Sequence, residues 1–459
     1  MITNYQLRIT NFLLLMIFAI SLRAQIPIYG ADSLMKHYNS KMNHFIDRDS
    51  SLGSFYSIDL FGISIFAGET EKKNNQIEYR VNWAELPIYK NIIATASREE
   101  AMQIMLSKGN RPFPPDVMKR YHVVPDFIKS QPTAKLPLKG LRIALDPGHI
   151  AADTAMGRIE DKYLLFKTSK GPTNVQRTAN DSVMISLAEG MLTWQTANAL
   201  AVLLRSEGAE VFMTRQKGNM TAFGKTYAQW KKNDYKRTLD SLLKLNPTDI
   251  HLRRLKSGRV KDENSIFRYV FRDAELRKRA EIINAFHPDL TIIIHYNVDE
   301  KNKPWNKPSS KNFCMTFVPG SFQDGELGDS ERRFDFLRLL LTDDIEKSTS
   351  VSGLAGLEFQ SELEVPLAKT SDATYLSEHC IPADLPGVFC RNLSLTRLIQ
   401  GTMIYGETFY QDNFDECLRL TEKPRFAAEG NQPLGGNERI SEVVDAYNKA
   451  ILLWAKSLQ

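Results

Sequence analysis

Cysteine is scarce in this chain of 459 residues. The four present, Cys314, Cys380, Cys390 and Cys417, nowhere stand in CxxC spacing, which argues against a structural zinc knot. So few thiols cannot staple a chain of this length, and its stability has to come from an apolar core. Cys380–Cys390 is the closest pair should a disulfide form, and buried free thiols are the equal alternative. An excess of one charge is missing too: 59 Lys and Arg against 54 Asp and Glu leave +5. The basic stretches Lys231–Lys236 and Arg253–Lys261 lie beside acidic residues and read as solvated faces, so nucleic acid is not an expected partner. There is no phosphate loop, no nucleotide fingerprint and no Ser/His/Asp order. After Phe12–Leu22 no apolar run approaches membrane-spanning length, so no transmembrane segment is expected in the mature chain.

What is present is the composition of a globular protein, 42% hydrophobic and 25% charged. Arg8, the apolar stretch Phe12–Leu22 and Arg23-Ala24-Gln25 fit a secretory leader over 1–24 that is cleaved before Gln25. The chain is therefore expected to be exported, to the periplasm or beyond the cell. Residues 25–128 carry strand signals at Phe55–Ala67 and Gln76–Trp83 and a helical signal at Ser97–Ser107. They show no catalytic constellation, and predict a small α/β accessory domain.

The polar stretch 129–140, with Pro132 and Pro137, reads as a linker. From Leu141 on, strands and helices alternate: strands at Leu141–Leu145, Ala209–Thr214, Asp289–His295, Phe313–Val318 and Thr402–Gly406; helices at Leu192–Ser206, Asp273–Phe286, Arg332–Ile345 and Ile440–Leu458. That alternation predicts an α/β domain over 141–425, an open, mostly parallel sheet with helices on both faces. Residues 426–459 supply a closing helix packed on it. Two segments, 150–188 and 217–270, are longer than connections normally run. The second is expected to be a charged, mobile helical lid or docking element, with an ornamental helical hairpin as the equal alternative.

Asp146-Pro147-Gly148-His149 directly follows the first buried strand, and His295 ends the apolar run Leu290–His295. In open α/β sheets ligands bind beyond the carboxyl ends of strands, and neutral imidazole is the commonest metal ligand near neutral pH. Each histidine alone could be an ordinary rim residue. Zinc hydrolases add a third protein ligand, often a glutamate, and leave the fourth position to water. Glu189 opens the helix that runs on through Leu192, where an acid is also favoured by the helix dipole.

At these residues the chain resembles the zinc-dependent N-acetylmuramoyl-L-alanine amidases. The elements are Asp146–His149, Glu189, Thr214-Arg215, Arg279 with Asn284, Pro288–Asn297, and Glu407 followed by Asn413. Individually weak, in this order they are specific, and they span about 141–420. The resemblance implies zinc held by His149, Glu189 and His295, with Glu189 rather than Glu160 as the acidic ligand. It implies Glu407 as general base and then acid, and peptidoglycan or a muropeptide as substrate. Arg279 is a candidate anchor for a substrate carboxylate, with a structural ion pair as the alternative. A regulatory protein partner stays open. A zinc peptidase or other amidohydrolase on a related scaffold, or a wall-binding protein without activity, are the rival readings. The chain departs from the family at Ile150-Ala151, where Gly-Gly is usual, at the missing Pro near Thr402, at Gly406 in place of an apolar residue, and at Phe409-Tyr410 in place of Gly-Phe.

Overall fold

The computed structural model describes residues 30–122, 132–168, 183–422 and 437–458. The expected leader lies outside the described residues. These residues fall into two units, one of 30–122 with 322–342 and one holding the remainder.

The first unit contains an antiparallel sheet of β1 (Tyr56–Asp59), β2 (Gly62–Phe66) and β3 (Ile77–Asn82), in that order. The Phe55–Ala67 stretch, expected as one strand, is a hairpin. The carboxylate of Asp59 accepts from the backbone N–H of Phe61 at 2.7 Å and Gly62 at 3.0 Å, and turns the chain. The helix expected over Arg332–Ile345 is two helices, Ser330–Leu341 and Asp344–Leu363, and only the first belongs to this unit. Ser330–Leu341 buries residues on every side. Within the unit Arg98 grips Asp335 with two bonds of 2.8 Å, and Arg333 pairs with Glu78. A two-pronged guanidinium–carboxylate pair fixes orientation as well as charge.

In the second unit the strands are β4 (Arg142–Pro147), β5 (Tyr163–Thr168), β6 (Val183–Ala188), β7 (Glu210–Met213), β8 (Leu290–Asn297), β9 (Met315–Val318), β10 (Ile381–Pro382), β11 (Val388–Cys390) and β12 (Met403–Tyr410). Seven of them form one sheet in the order β10-β11-β9-β12-β8-β4-β7, with β12, β8, β4 and β7 mutually parallel. Alternation along the strands sends side chains to two helical layers. Ile143, Leu145, Ile292, Ile294 and Ile404 meet the helices Glu189–Ser206, Asp344–Leu363 and Glu438–Ser457. Ala144, Ile293 and Met403 meet Arg272–Phe286 and Ser394–Leu398. Strands buried on both faces read as continuous apolar runs, which is why β8 is so plain in the sequence. The open, mostly parallel sheet between helical layers is as expected.

The described residues of both insertions form elements of this unit. Those of 150–188 include the helix Thr154–Glu160 and the antiparallel pair β5-β6. The 217–270 segment departs from its expectation. Its helices bury an aromatic cluster of Tyr227, Trp230, Phe267 and Phe271, to which Ile150 also contributes. Trp230 and Phe271 lie edge to face at 4.7 Å. The charged residues that dominate its composition lie on the outside of a real core, contrary to the expectation that the segment could bury little surface of its own. The four cysteines are free thiols.

Gly406 stands where an apolar residue was expected. A Cβ there would lie 2.2 Å from the Tyr447 hydroxyl of the closing helix. Gly406→Ala should therefore destabilise the protein by about 1–3 kcal/mol, the usual cost of overpacking, and Tyr447→Phe should recover most of it. Urea unfolding of the two single variants and the double variant checks this; equal losses with and without the hydroxyl would refute the clash.

Candidate metal centre

The first histidine is placed by a turn whose carbonyls are all engaged. β4 ends at Pro147, and Gly148 donates its N–H to Ile294 O of neighbouring β8 at 2.9 Å. Only glycine fits at 148, because a Cβ there would lie 2.3 Å from the His295 ring. Two buried arginines collect the turn's oxygens. Arg215 donates to the carbonyls of Pro147 (3.1 Å), Gly148 (3.3 Å) and Gly190 (3.2 Å). Arg279 donates to the carbonyls of Pro147 (2.8 Å) and His149 (3.2 Å), and pairs with Glu275 (2.6 Å) and Asp146 (3.3 Å). Arg279 is 1% exposed. With its guanidinium consumed by the scaffold, it offers nothing to a substrate, and the anchoring role considered for it gives way to the structural ion pair.

Glu189 is the first residue of its helix and is buried. Its Oε1 lies 3.0 Å from His295 Nδ1 and 3.4 Å from His149 Nε2. Its Oε2 accepts from Gln411 Nε2 at 3.0 Å and has Lys162 Nζ at 3.7 Å. The two imidazole rings stand edge to face at 4.9 Å, and one ligand atom from each of His149, Glu189 and His295 lies within 4.8 Å of the other two. Two imidazole nitrogens and one carboxylate oxygen, converging at the end of a sheet, are a donor set that suits zinc. Glu160 is not in this group; it meets His149 from the other side, Oε1 to Nδ1 at 2.8 Å.

Glu407 is paired with His295 across β12 and β8. Its Oε2 is buried and has no hydrogen-bond partner among the described residues. An orphaned carboxylate oxygen beside a metal-type donor set is what a carboxylate reserved for a substrate or water would show. Burial, and then the charge of Glu189, push the Glu407 carboxyl up to about 8. Burial acts on Glu189 in the same sense, but there the charges of His149 and Lys162 and the bond to His295 outweigh it and hold the carboxyl well below its ordinary range. Two carboxyls in one site are thus driven apart, the pattern that separates a ligand from an acid–base group.

Several neighbours of this centre had no signal in the sequence. Tyr405 stacks on the His295 ring at 4.7 Å, nearly parallel. Gln411 also donates to Tyr296 O at 3.2 Å, which fixes its amide against Glu189. Lys162 and Glu160 come from the first insertion, where spacing offered no guide. Other residues of the motif are scaffold. Asn413 caps the helix Phe414–Thr421, and Asn284 ties the Leu398–Gln400 loop to its own helix.

The family model described as N-acetylmuramoyl-L-alanine amidase matches residues 143–423. Among solved structures, the chain is similar to the apo form of the N-acetylmuramyl-L-alanine amidase Ami1 from Mycobacterium abscessus, with 15% identity and a TM-score of 0.35 over 69% of this chain and 99% of that one. It is also similar to the CwlD amidase of Clostridioides difficile, solved in complex with the GerS lipoprotein, with 16% identity and a TM-score of 0.34 over 70% and 100%. No curated protein matches.

The opposed carboxyls set a pH dependence for the metal-free protein. A carboxyl whose folded pKa is raised holds a proton that the unfolded chain releases. Its contribution to stability is full below the ordinary carboxylate range and is lost as pH rises through about 8. Glu189 works in the opposite sense, but only in acid, below the ordinary range. In chelator, denaturant unfolding should therefore show wild type losing more stability between pH 5 and pH 9 than Glu407→Gln. Parallel loss in the two proteins would show that Glu407 does not titrate there.

Proposed function

The chain belongs to the N-acetylmuramoyl-L-alanine amidase family, and we propose that it is a zinc hydrolase that cleaves the amide between N-acetylmuramic acid and L-alanine in peptidoglycan. The observation that carries this reading is the convergence of His149, Glu189 and His295 beside Glu407, whose buried Oε2 has no partner among the described residues. The three ligands would hold the ion, whose chemistry when bound is to polarise the scissile carbonyl and to lower the pKa of water. Glu407 takes the proton of the attacking water and returns it to the leaving nitrogen of L-alanine, base first and acid second.

Among the described residues no helix is long and apolar enough to cross a membrane. The leader-like 1–24 supports export to the compartment where peptidoglycan lies. Residues 25–128 would serve as an accessory module. A wall-binding protein without activity would have no need of Glu407. A zinc peptidase on the same scaffold would share the ligands and cut elsewhere.

Mass spectrometry of peptidoglycan digested by the purified full chain separates these readings. The amidase reading expects free L-alanine amino groups, no new reducing sugar ends, and no reaction in chelator. Cuts within the stem would make the protein a peptidase, and intact wall would leave it a binding protein.

Variants divide the roles. His149→Ala and His295→Ala should lose both zinc and activity, while Glu407→Gln should keep zinc and lose activity by roughly 10² to 10⁴, the usual worth of general acid–base catalysis. Zinc content by atomic absorption, read beside rates, checks the division; loss of zinc from Glu407→Gln would make that residue a ligand.

A further inference from the structure

The first insertion delivers three consecutive side chains, each with its own anchor. Glu160, the last residue of the helix Thr154–Glu160, reaches His149. Asp161, in left-handed backbone at φ 61°, accepts from Trp305 Nε1 at 3.1 Å and pairs with Lys303. Lys162 places its ammonium 3.7 Å from Glu189 Oε2.

The contacts of Glu160 are the most closely defined. Oε1 meets His149 Nδ1 at 2.8 Å, while Oε2 accepts from the N–H of Ile150 at 3.0 Å and of Ala151 at 2.9 Å. One carboxylate thus closes over the ring and the two backbone groups that follow it. The backbone of His149 itself is left-handed, φ 54°, a conformation that side chains other than glycine hold only when their surroundings impose it. The two backbone donors belong to Ile150-Ala151, which stand where the family has Gly-Gly.

We infer that Glu160 is a positioning residue for the metal centre. It accepts a hydrogen bond from the Nδ1–H of His149, so that the Nε2 lone pair, already turned toward Glu189 Oε1, is the one presented to a metal. This rests on the metal-site reading above. It gives the 150–188 insertion a definite task, supplying the outer shell of the site. Partners of this kind fix the tautomer and orientation of a ligating imidazole, and their loss typically costs 10- to 100-fold in metal affinity.

The test measures zinc affinity of the full chain by competition with a chromophoric chelator, beside ¹⁵N-histidine spectra that report which nitrogen of His149 carries the proton. Glu160→Ala should weaken zinc binding by roughly 10- to 100-fold and remove the single Nδ1–H signature of His149. Glu160→Gln, which keeps the shape and one accepting oxygen, should fold and fall between wild type and Glu160→Ala. If Glu160→Ala fails to fold, the comparison is made on Glu160→Gln, which should still bind zinc more weakly than wild type. Unchanged zinc affinity and an unchanged tautomer in whichever variant folds would overturn the inference. Absence of zinc binding in the wild type would instead overturn the metal-site reading.

Discussion

The site depends on the burial of two guanidinium groups under one turn. Arg215 and Arg279 are each 1% exposed, and between them they bond the carbonyls of Pro147, Gly148, His149 and Gly190. A buried cation is tolerated only when its donors are met, and breaking such a network by removing one member is costlier than the network is worth. The turn is therefore held by groups that cannot let go cheaply. Its position relative to the helix that begins at Glu189 is set by the same bonds, because Arg215 reaches both. Thr193 Oγ1, one turn into that helix, adds a bond of 2.6 Å to Gly148 O. Histidine and glutamate arrive together because their backbones share donors.

On that frame the electrostatics sort themselves by neighbour. Glu189 is surrounded by donors on both oxygens, from His295, Tyr296 N and Gln411, and stays ionised. Glu407, only a strand away, has one oxygen without a partner and resists ionisation. Burial alone would raise both; the difference comes from the charges of His149 and Lys162 and the bond to His295 beside Glu189, against the charge of Glu189 itself beside Glu407. The same residue type is thus made suitable for two jobs without any change in the fold.

Much of this was legible in the sequence where local pattern and burial coincide. β4, β8 and the helix Glu189–Ser206 are long apolar elements closed by clear punctuation, and the two strand-end histidines stand out against them. β12 was read too short because Gly406, Glu407 and Thr408 break its apolar run; Gly406 is small to admit Tyr447, and Glu407 faces the site. The helix Asp344–Leu363 was missed over most of its length. Its buried face interleaves Ile345, Val351, Phe359 and Leu363 with Ser348, Ser352, Gly353 and Gly356, small residues of weak helical propensity that blur the apolar pattern. The core of 217–270 was hidden by its charge, since spacing alone did not show that its aromatic residues converge. Glu160 lay closest to His149 in sequence yet had no spacing to mark it, because its contact is made by a helix that turns back on the strand end.

The first unit is assembled from two stretches of chain about 200 residues apart, and this has a consequence for how the molecule comes into being. Its sheet and early helices are made first, but Asp335 and Arg333, the partners of Arg98 and Glu78, arrive only after His149, Glu189 and His295 have been synthesised. Until then Arg98 lacks its two bonds to Asp335, and the half-buried Glu78 lacks Arg333. Closing so long a loop costs little more than closing a short one, since each doubling adds only about 0.6 kcal/mol. The delay is therefore one of order rather than of energy. Nascent chains should expose this unit's open face to chaperones or proteases for much of their synthesis, and a truncation that removes the early stretch would strand the helix Ser330–Leu341, buried on every side, without a home.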